Sequence, residues 1–393
     1  MVDFRDTKRA FSGLSNVALR RAILLFRVLG MPWLSRLGGW FAQLALRLRL
    51  PIRWLFEKTI YAHFCGGVSM GACEQRIGEL YGRRVGSILD FGVEGKSRES
   101  DFLRVFEETQ QAIARAEQDQ RIPFCVFKCS GLISIEVLEE VSRLGHPSDA
   151  NVVAWEQFSG RVDALLAQAY HSNVRVMIDA EESWIQAAID QIAEEGMRKY
   201  NQLKCIVLNT VQLYRVDRFD YLQAAISRAK EAGYIFGVKL VRGAYMEKER
   251  LRAADLGYPD PIHPNKEETD RAFDGGLRYC LERLENVVVC CGSHNEASAE
   301  KMSQWMEELA IDHQDERVFS AQLLGMSDHI SFNLAAEGFN VAKYVPYGPV
   351  RDLVPYLIRR AEENTSIQGQ SGRELALLQD ELKRRLTQSG GAR

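Results

Sequence analysis

Residues 174–212 decide the fold: VRVMIDAE, then ESWIQAAIDQIAEEGMRKY, then NQLK, then CIVLNTVQ. The first and last pieces are short apolar, β-branched runs. Between them Trp184–Tyr200 reads as an amphipathic helix. A strand buried on both faces, a helix and a second such strand make a parallel βα unit. The alternation recurs along the chain. The other runs are 87–94, 123–130, 235–244, 287–294, 318–325 and 340–348, and Arg218–Gly233 supplies a further helix. With Val174–Glu181 and Cys205–Gln212 that makes eight strands. Eight consecutive βα units point to an α/β protein closed as a (βα)8 barrel, with an open doubly wound sheet as the alternative.

Polar residues gather at one end of the runs. Lys128 ends the second, Asp179 and Glu181 the third, and Gln212 the fourth. Lys239 and Arg242 fall late in the fifth, Ser293, His294 and Asn295 end the sixth, Gln322 is late in the seventh, and Tyr344 lies in the eighth. One such residue would only mark a strand leaving the core. Seven successive strands so marked favour a site at the C-terminal mouth, where barrels of this kind carry their chemistry.

The flanks differ from this pattern. The 393 residues are 46% hydrophobic and 26% charged, enough apolar content for a full core and too much for disorder. The net charge of −3 argues against a nucleic-acid-binding protein. Eight Cys with neither C-x-x-C pairs nor paired His predict no metal site and no disulfide framework, only buried thiols in a reducing compartment. No apolar run reaches roughly 18 residues, so the expectation is a soluble or at most peripheral protein without a secretory leader. Residues 1–85 form a basic helical arm, 86–366 the barrel and 367–393 a polar, partly helical tail. In the arm, Asn16–Leu29 reads as a helix stopped by Gly30, and Gly39–Leu50 as another. Arg20 and Arg27 share a face of the first, which suits either an anionic membrane surface or packing on the barrel.

Two phosphate signatures fail. Gly95-Lys96-Ser97 lacks the first glycine of a P-loop, since Asp90 stands there, and no G-x-G-x-x-G occurs. Arg242-Gly243-Ala244-Tyr245 is better: a cation and a glycine after a buried strand suit the approach of a phosphate. Ser293-His294-Asn295 adds donors. The sharpest constellation is Tyr356-Leu-Ile-Arg359-Arg360-Ala-Glu-Glu363-Asn364. Arg359 and Arg360 lie about 100° apart on one helix, so two guanidiniums can close on one anion. Glu363 is one turn on, within reach of both.

With these segments the sequence resembles the proline dehydrogenase family, including the corresponding domain of bifunctional proline utilization A. The carrying residues are Asp179-Ala-Glu-Glu, Lys239-Leu-Val-Arg-Gly-Ala-Tyr245, Ser293-His-Asn, Tyr344-x-Pro346-x-Gly348 and Arg359-Arg360, with Lys128. The likeness runs from Phe64 to Ser366, and its helical arm and Cys65-Gly-Gly look more like the single-function enzymes. The resemblance implies a distorted, TIM-like (βα)8 barrel holding FAD noncovalently, an oxidoreductase acting on CH–NH donors. It implies oxidation of L-proline to Δ1-pyrroline-5-carboxylate, the first step of proline catabolism, with electrons passed to a membrane quinone. It further implies a cytoplasmic or, in a eukaryote, mitochondrial place, peripheral on the inner membrane. Lys128, Arg359 and Arg360 would bind the carboxylate, with Glu363 beside them. Tyr245 and Tyr344 would wall the ring, and Asp179 would hydrogen-bond Tyr344. Lys239 stands where many bacterial members have Arg near the flavin. Ala180, Gln212, Arg242, Gly243, Ala244, Ser293 and His294 match positions that contact the cofactor. The alternatives are another FAD-holding barrel of the methylenetetrahydrofolate reductase kind and a noncatalytic membrane-surface protein.

Overall fold

The computed structural model describes residues 2–29, 57–93, 95, 97–366 and 370–390. Eight parallel strands close in sequence order: β1 Val85–Phe91, β2 Phe124–Lys128, β3 Arg175–Asp179, β4 Val207–Gln212, β5 Phe236–Val241, β6 Val287–Gly292, β7 Val318–Leu323 and β8 Val341–Tyr347. Pairing β1 with β8 shuts the barrel, from Val85 opposite Val341 to Phe91 opposite Tyr347. The closed form replaces the open-sheet alternative. Each expected run overlaps one strand, but most overrun their strands. The third run stops at Asp179 because Ala180–Glu182 turns away to start the helix Ser183–Tyr200. The fifth stops at Val241, before Gly243 adopts a φ of 146°. The first begins two residues early, at Val85.

Alternation along each strand explains both the core and the site. Side chains two apart share a face. The inward series begins apolar: Ile88, Phe124 and Val126, Met177, Leu208, Val288 and Cys290, Ala321 and Ala342 form one buried cluster inside the barrel. Phe124 and Phe319 meet edge to face there at 4.8 Å. Two residues further along, the same inward face becomes polar: Asp90 after Ile88, Lys128 after Val126, Asp179 after Met177, Tyr344 after Ala342. The outward series packs under the helices as the larger core, with Val176, Ile178, Ile185 and Ile189 among its fully buried members. All eight cysteines are buried and none is bonded to another.

The arm helix Asn16–Leu29 falls where expected, and Gly30 and the second arm helix lie outside the described residues. Its inner face is covered. Leu19, Ala22, Ile23 and Phe26 pack with Leu377 and Leu378 of the final helix, Gln370–Gly390. Arg385 from that helix donates to the carbonyls of Phe11 at 2.8 Å and Leu14 at 2.7 Å. The two ends of the described chain thus share one small core. The helix Thr7–Phe11 in turn joins the barrel, Asn333 Nδ2 donating to the Asp6 carbonyl.

Candidate active site

The polar ends of the inward series meet as a ladder of alternating charge. Lys128 Nζ lies 2.9 Å from one oxygen of Asp179 and 3.4 Å from Asp90. Lys239 Nζ donates to the other Asp179 oxygen and to the Tyr344 hydroxyl. The Tyr344 hydroxyl is 3.3 Å from Asp179, so the expected Asp179–Tyr344 contact is present, with Lys239 added to it. Asp179, Lys239 and Tyr344 are all buried. Burial disfavours an ionised Asp179, but Lys128 and Lys239 outweigh it and hold the carboxyl below its usual range. Burial, with Asp179 next to it, pushes the Tyr344 phenol well up, so it stays a neutral donor and acceptor.

Asp90 is a member of this ladder that the sequence reading used only to reject a P-loop. Its signal was the period of two: Asp90 follows Ile88 on the inward face as Lys128 follows Val126.

Arg359 and Arg360 lie on the helix Val350–Ser366, which follows β8. Arg359 reaches across the mouth, its guanidinium carbon 5.6 Å from the ring centre of Tyr245 in the loop after β5. Arg360 is buried and stands 5.1 Å over the ring of Tyr356. Glu363 is on the same helix, but its side chain lies outside the described residues.

The ends of β5 and β6 form a second cluster. Arg242 is held on three sides: Nε donates to Asp270 at 2.7 Å, Nη1 to Ser293 and Nη2 to Ser298, both at 2.9 Å. Asp270 and Ser298 were not singled out from the sequence; only Arg242 and Ser293 were. Gly243 lies flat on Tyr214, where a Cβ would come within 2.4 Å of the ring, and its φ of 146° is glycine's own. Ala244 follows it. Ala180 leaves the end of β3, and Gln212 Nε2 donates 2.6 Å to the Glu181 carbonyl beside it. Lys96, in the failed P-loop match, lies outside the described residues. A fixed guanidinium and a hydroxyl at neighbouring strand ends are a donor set that fits the anionic diphosphate of a dinucleotide. No metal-binding cluster occurs among the described residues.

His294 completes this edge. Its Nε2 accepts from the Leu323 N–H at 3.4 Å, which leaves Nδ1–H to donate to Ser327 Oγ at 3.0 Å. Burial, then the charges of Lys343 and Arg360, press its pKa well below the histidine range. Burial likewise lowers His63, whose Nε2 donates 2.8 Å to the Gly325 carbonyl. Each ring binds fewer protons folded than unfolded just below about pH 6.5, so in that window stability rises with pH. Glu374, pushed up by burial, works in the opposite direction at lower pH. The expected result is a Tm that falls from about pH 7 to about pH 5, with a shallower slope in His294→Asn. An unchanged slope in thermal scans of that variant would show that His294 does not titrate with unfolding.

Comparison with known proteins bears on this geometry. The family model described as "Proline dehydrogenase" matches residues 73–373. Human "Proline dehydrogenase 1, mitochondrial" is 45% identical over 229 residues, 58% of this chain and 38% of the human protein. The "Carbapenem antibiotics biosynthesis protein CarD" of Pectobacterium carotovorum is 33% identical over 339 residues, 86% of this chain and 88% of that protein. The chain thus spans little more than a third of the length of the human relative. Among solved structures, a proline utilization A from Bdellovibrio bacteriovorus inactivated by N-propargylglycine superposes with a TM-score of 0.71. It shares 19% identity, over 88% of this chain and 37% of that one, which shows a common fold.

Proposed function

The chain belongs to the proline dehydrogenase family, and from that premise we propose that it oxidises L-proline to Δ1-pyrroline-5-carboxylate with FAD held at the barrel mouth. The observation that supports this best is the Lys128–Asp179–Lys239–Tyr344 cluster, faced across the mouth by Arg359 on Tyr245. Proline is a small zwitterion, and its carboxylate is its one strong handle. Arg359, Arg360 and Lys128 are three cations on two elements suited to take it, and charge-assisted bonds are the strong kind. Tyr245 and Tyr344 offer rings to the pyrrolidine. Asp179 has both oxygens engaged by lysines, so it fixes Lys128, Lys239 and Tyr344 in place. Holding the carboxylate and ring at once orients the carbon that loses hydride, which makes transfer an oriented first-order step. Arg242, Gly243, Ala244, Ser293, His294, Ala180 and Gln212 are the residues that would hold FAD. When bound, FAD supplies the acceptor for the hydride. Lys239 sets a buried positive charge at the same level of the barrel, and held near FAD it would favour the negative charge that the flavin would gain on taking the hydride.

The purified protein tests this directly. Flavin absorbance that bleaches when L-proline is added without oxygen is the expected result. A colourless protein that cannot be loaded with FAD would sink the reading. The folate-reductase alternative has no support beside the family match.

Tyr344 sets the expected substrate choice. Its ring closes the inner wall and its hydroxyl is already engaged by Lys239 and Asp179. The hydroxyl of trans-4-hydroxy-L-proline would lose water without gaining a partner, about 1–3 kcal/mol or roughly 10–200-fold in specificity. Strong preference for L-proline is expected, with a narrower gap in Tyr344→Ser through weaker proline turnover. Equal kcat/KM for the two substrates in the unaltered enzyme would remove Tyr344 from the ring wall.

The electron acceptor in this reading is a membrane quinone. No helix among the described residues is long and apolar enough to cross a membrane. The arm's inner face is occupied by the final helix, which leaves an outer groove lined by Arg20, Leu24, Arg27, Lys383 and Leu386. Basic residues around exposed leucines suit weak contact with anionic headgroups. Salt-sensitive cosedimentation with anionic vesicles is expected, and its absence at low salt would confine these helices to packing.

A further inference from the structure

The helix Met246–Leu256 begins directly after Tyr245, and its attachment to the barrel is polar. Its buried side chains are Glu249 and Ala253. Glu249 has no exposed surface at all. Its Oε1 accepts from the Ser183 N–H at 2.6 Å and its Oε2 from the Ser183 hydroxyl at 2.5 Å. Ser183 opens the helix Ser183–Tyr200, and Glu182 before it offers no side-chain cap. Glu249 therefore caps that helix from another element, satisfying an orphan N–H at the positive end of the dipole. Two further contacts fasten the same pair of helices: Lys248 pairs with Glu182, and the Arg252 guanidinium lies 4.3 Å over Trp184.

At its own end, the Glu249 N–H donates 2.9 Å to the carbonyl of Tyr245. One residue thus joins the loop that carries Tyr245 to the loop that leaves Asp179. The first of these supports Arg359 through the Tyr245 ring, and the second belongs to the lysine-bound carboxylate. An apolar contact would allow the helix to slide; a carboxylate gripped by an N–H and a hydroxyl sets its register and distance.

We propose that Glu249 is a positioning residue for the substrate site: it fixes where Tyr245 and Arg359 stand relative to Asp179. The proposal rests on the proline-site reading and adds to it a residue that does not touch substrate. Steady-state kinetics with L-proline and a dye acceptor test it, alongside flavin content and Tm. Glu249→Ala is expected to raise KM for L-proline about tenfold with kcat within about threefold, at unchanged flavin content, since small misplacements of binding groups cost this much or more. Ser183→Ala, which keeps the backbone N–H, is expected to raise KM about threefold. The double variant should be no worse than Glu249→Ala, because both remove one interaction. Glu249→Gln keeps an acceptor oxygen and should recover part of the KM. If Glu249→Ala does not fold, Ser183→Ala and Glu249→Gln decide the matter. A lowered Tm with unchanged KM in these variants makes Glu249 structural only and overturns the proposal while leaving the site reading intact. An unaltered enzyme that binds flavin and leaves L-proline untouched overturns both.

Discussion

Arg359→Met and Arg360→Met are each expected to lower kcat/KM for L-proline by between about 30-fold and several thousand-fold while FAD stays bound. The two guanidiniums sit on one helix after β8, Arg360 buried and Arg359 reaching the Tyr245 ring. Methionine keeps most of the stem and its packing, so the loss isolates the charged donors. Removing one partner of a desolvated, hydrogen-bonded charge pair costs on the order of 2–5 kcal/mol, and each 1.36 kcal/mol is tenfold in rate. The flavin spectrum reports whether the cofactor remains, and initial rates report turnover. Wild-type kcat/KM in either variant would place that arginine outside the carboxylate clamp.

Asp179→Ala should damage folding as well as turnover. The carboxylate is the shared anion of Lys128 and Lys239, Lys239 buried with it and Lys128 nearly so. Deleting it takes the carboxylate from the buried Lys239 ammonium and leaves Lys128 facing Asp90, and breaking a buried pair by removing one partner costs about 3–5 kcal/mol. Asp179→Asn keeps the shape and one acceptor oxygen, so its loss should be smaller. The pH dependence has a definite sign. Asp179 is held below the usual carboxylate range, so its contribution is complete above the unfolded value near 3.9 and disappears as acid titrates the folded carboxyl. Thermal unfolding at neutral pH checks the first claim. An Asp179→Ala protein that melts like the unaltered one would mean that the lysines find water or other anions instead.

The barrel was legible because its strands are buried on both faces, which leaves continuous apolar runs such as Val287–Gly292 between amphipathic helices. Strand ends were less so, since Ala180 or Gly243 reads as a plausible continuation until the backbone turns. Lys128, Asp179, Lys239 and Tyr344 stood out as polar residues at the ends of apolar runs. Asp90 did not, because the first run was placed too late and buried it mid-strand. The Glu249–Ser183 clasp joins residues 66 positions apart and leaves no local pattern. The same holds for the packing of Leu377 and Leu378 on the arm, since an amphipathic helix announces an apolar face but not what covers it.

The apolar filling of the barrel, from Ile88 and Phe124 through Met177 to Phe319, turns the site into a cul-de-sac. Those side chains fill the strand end opposite the mouth, so in the proposed reaction what enters at the mouth would leave by the same doorway. Substrate and product would then take turns there, and the product would compete for entry as it accumulates. In that reading a large electron carrier would approach on the same side of the molecule.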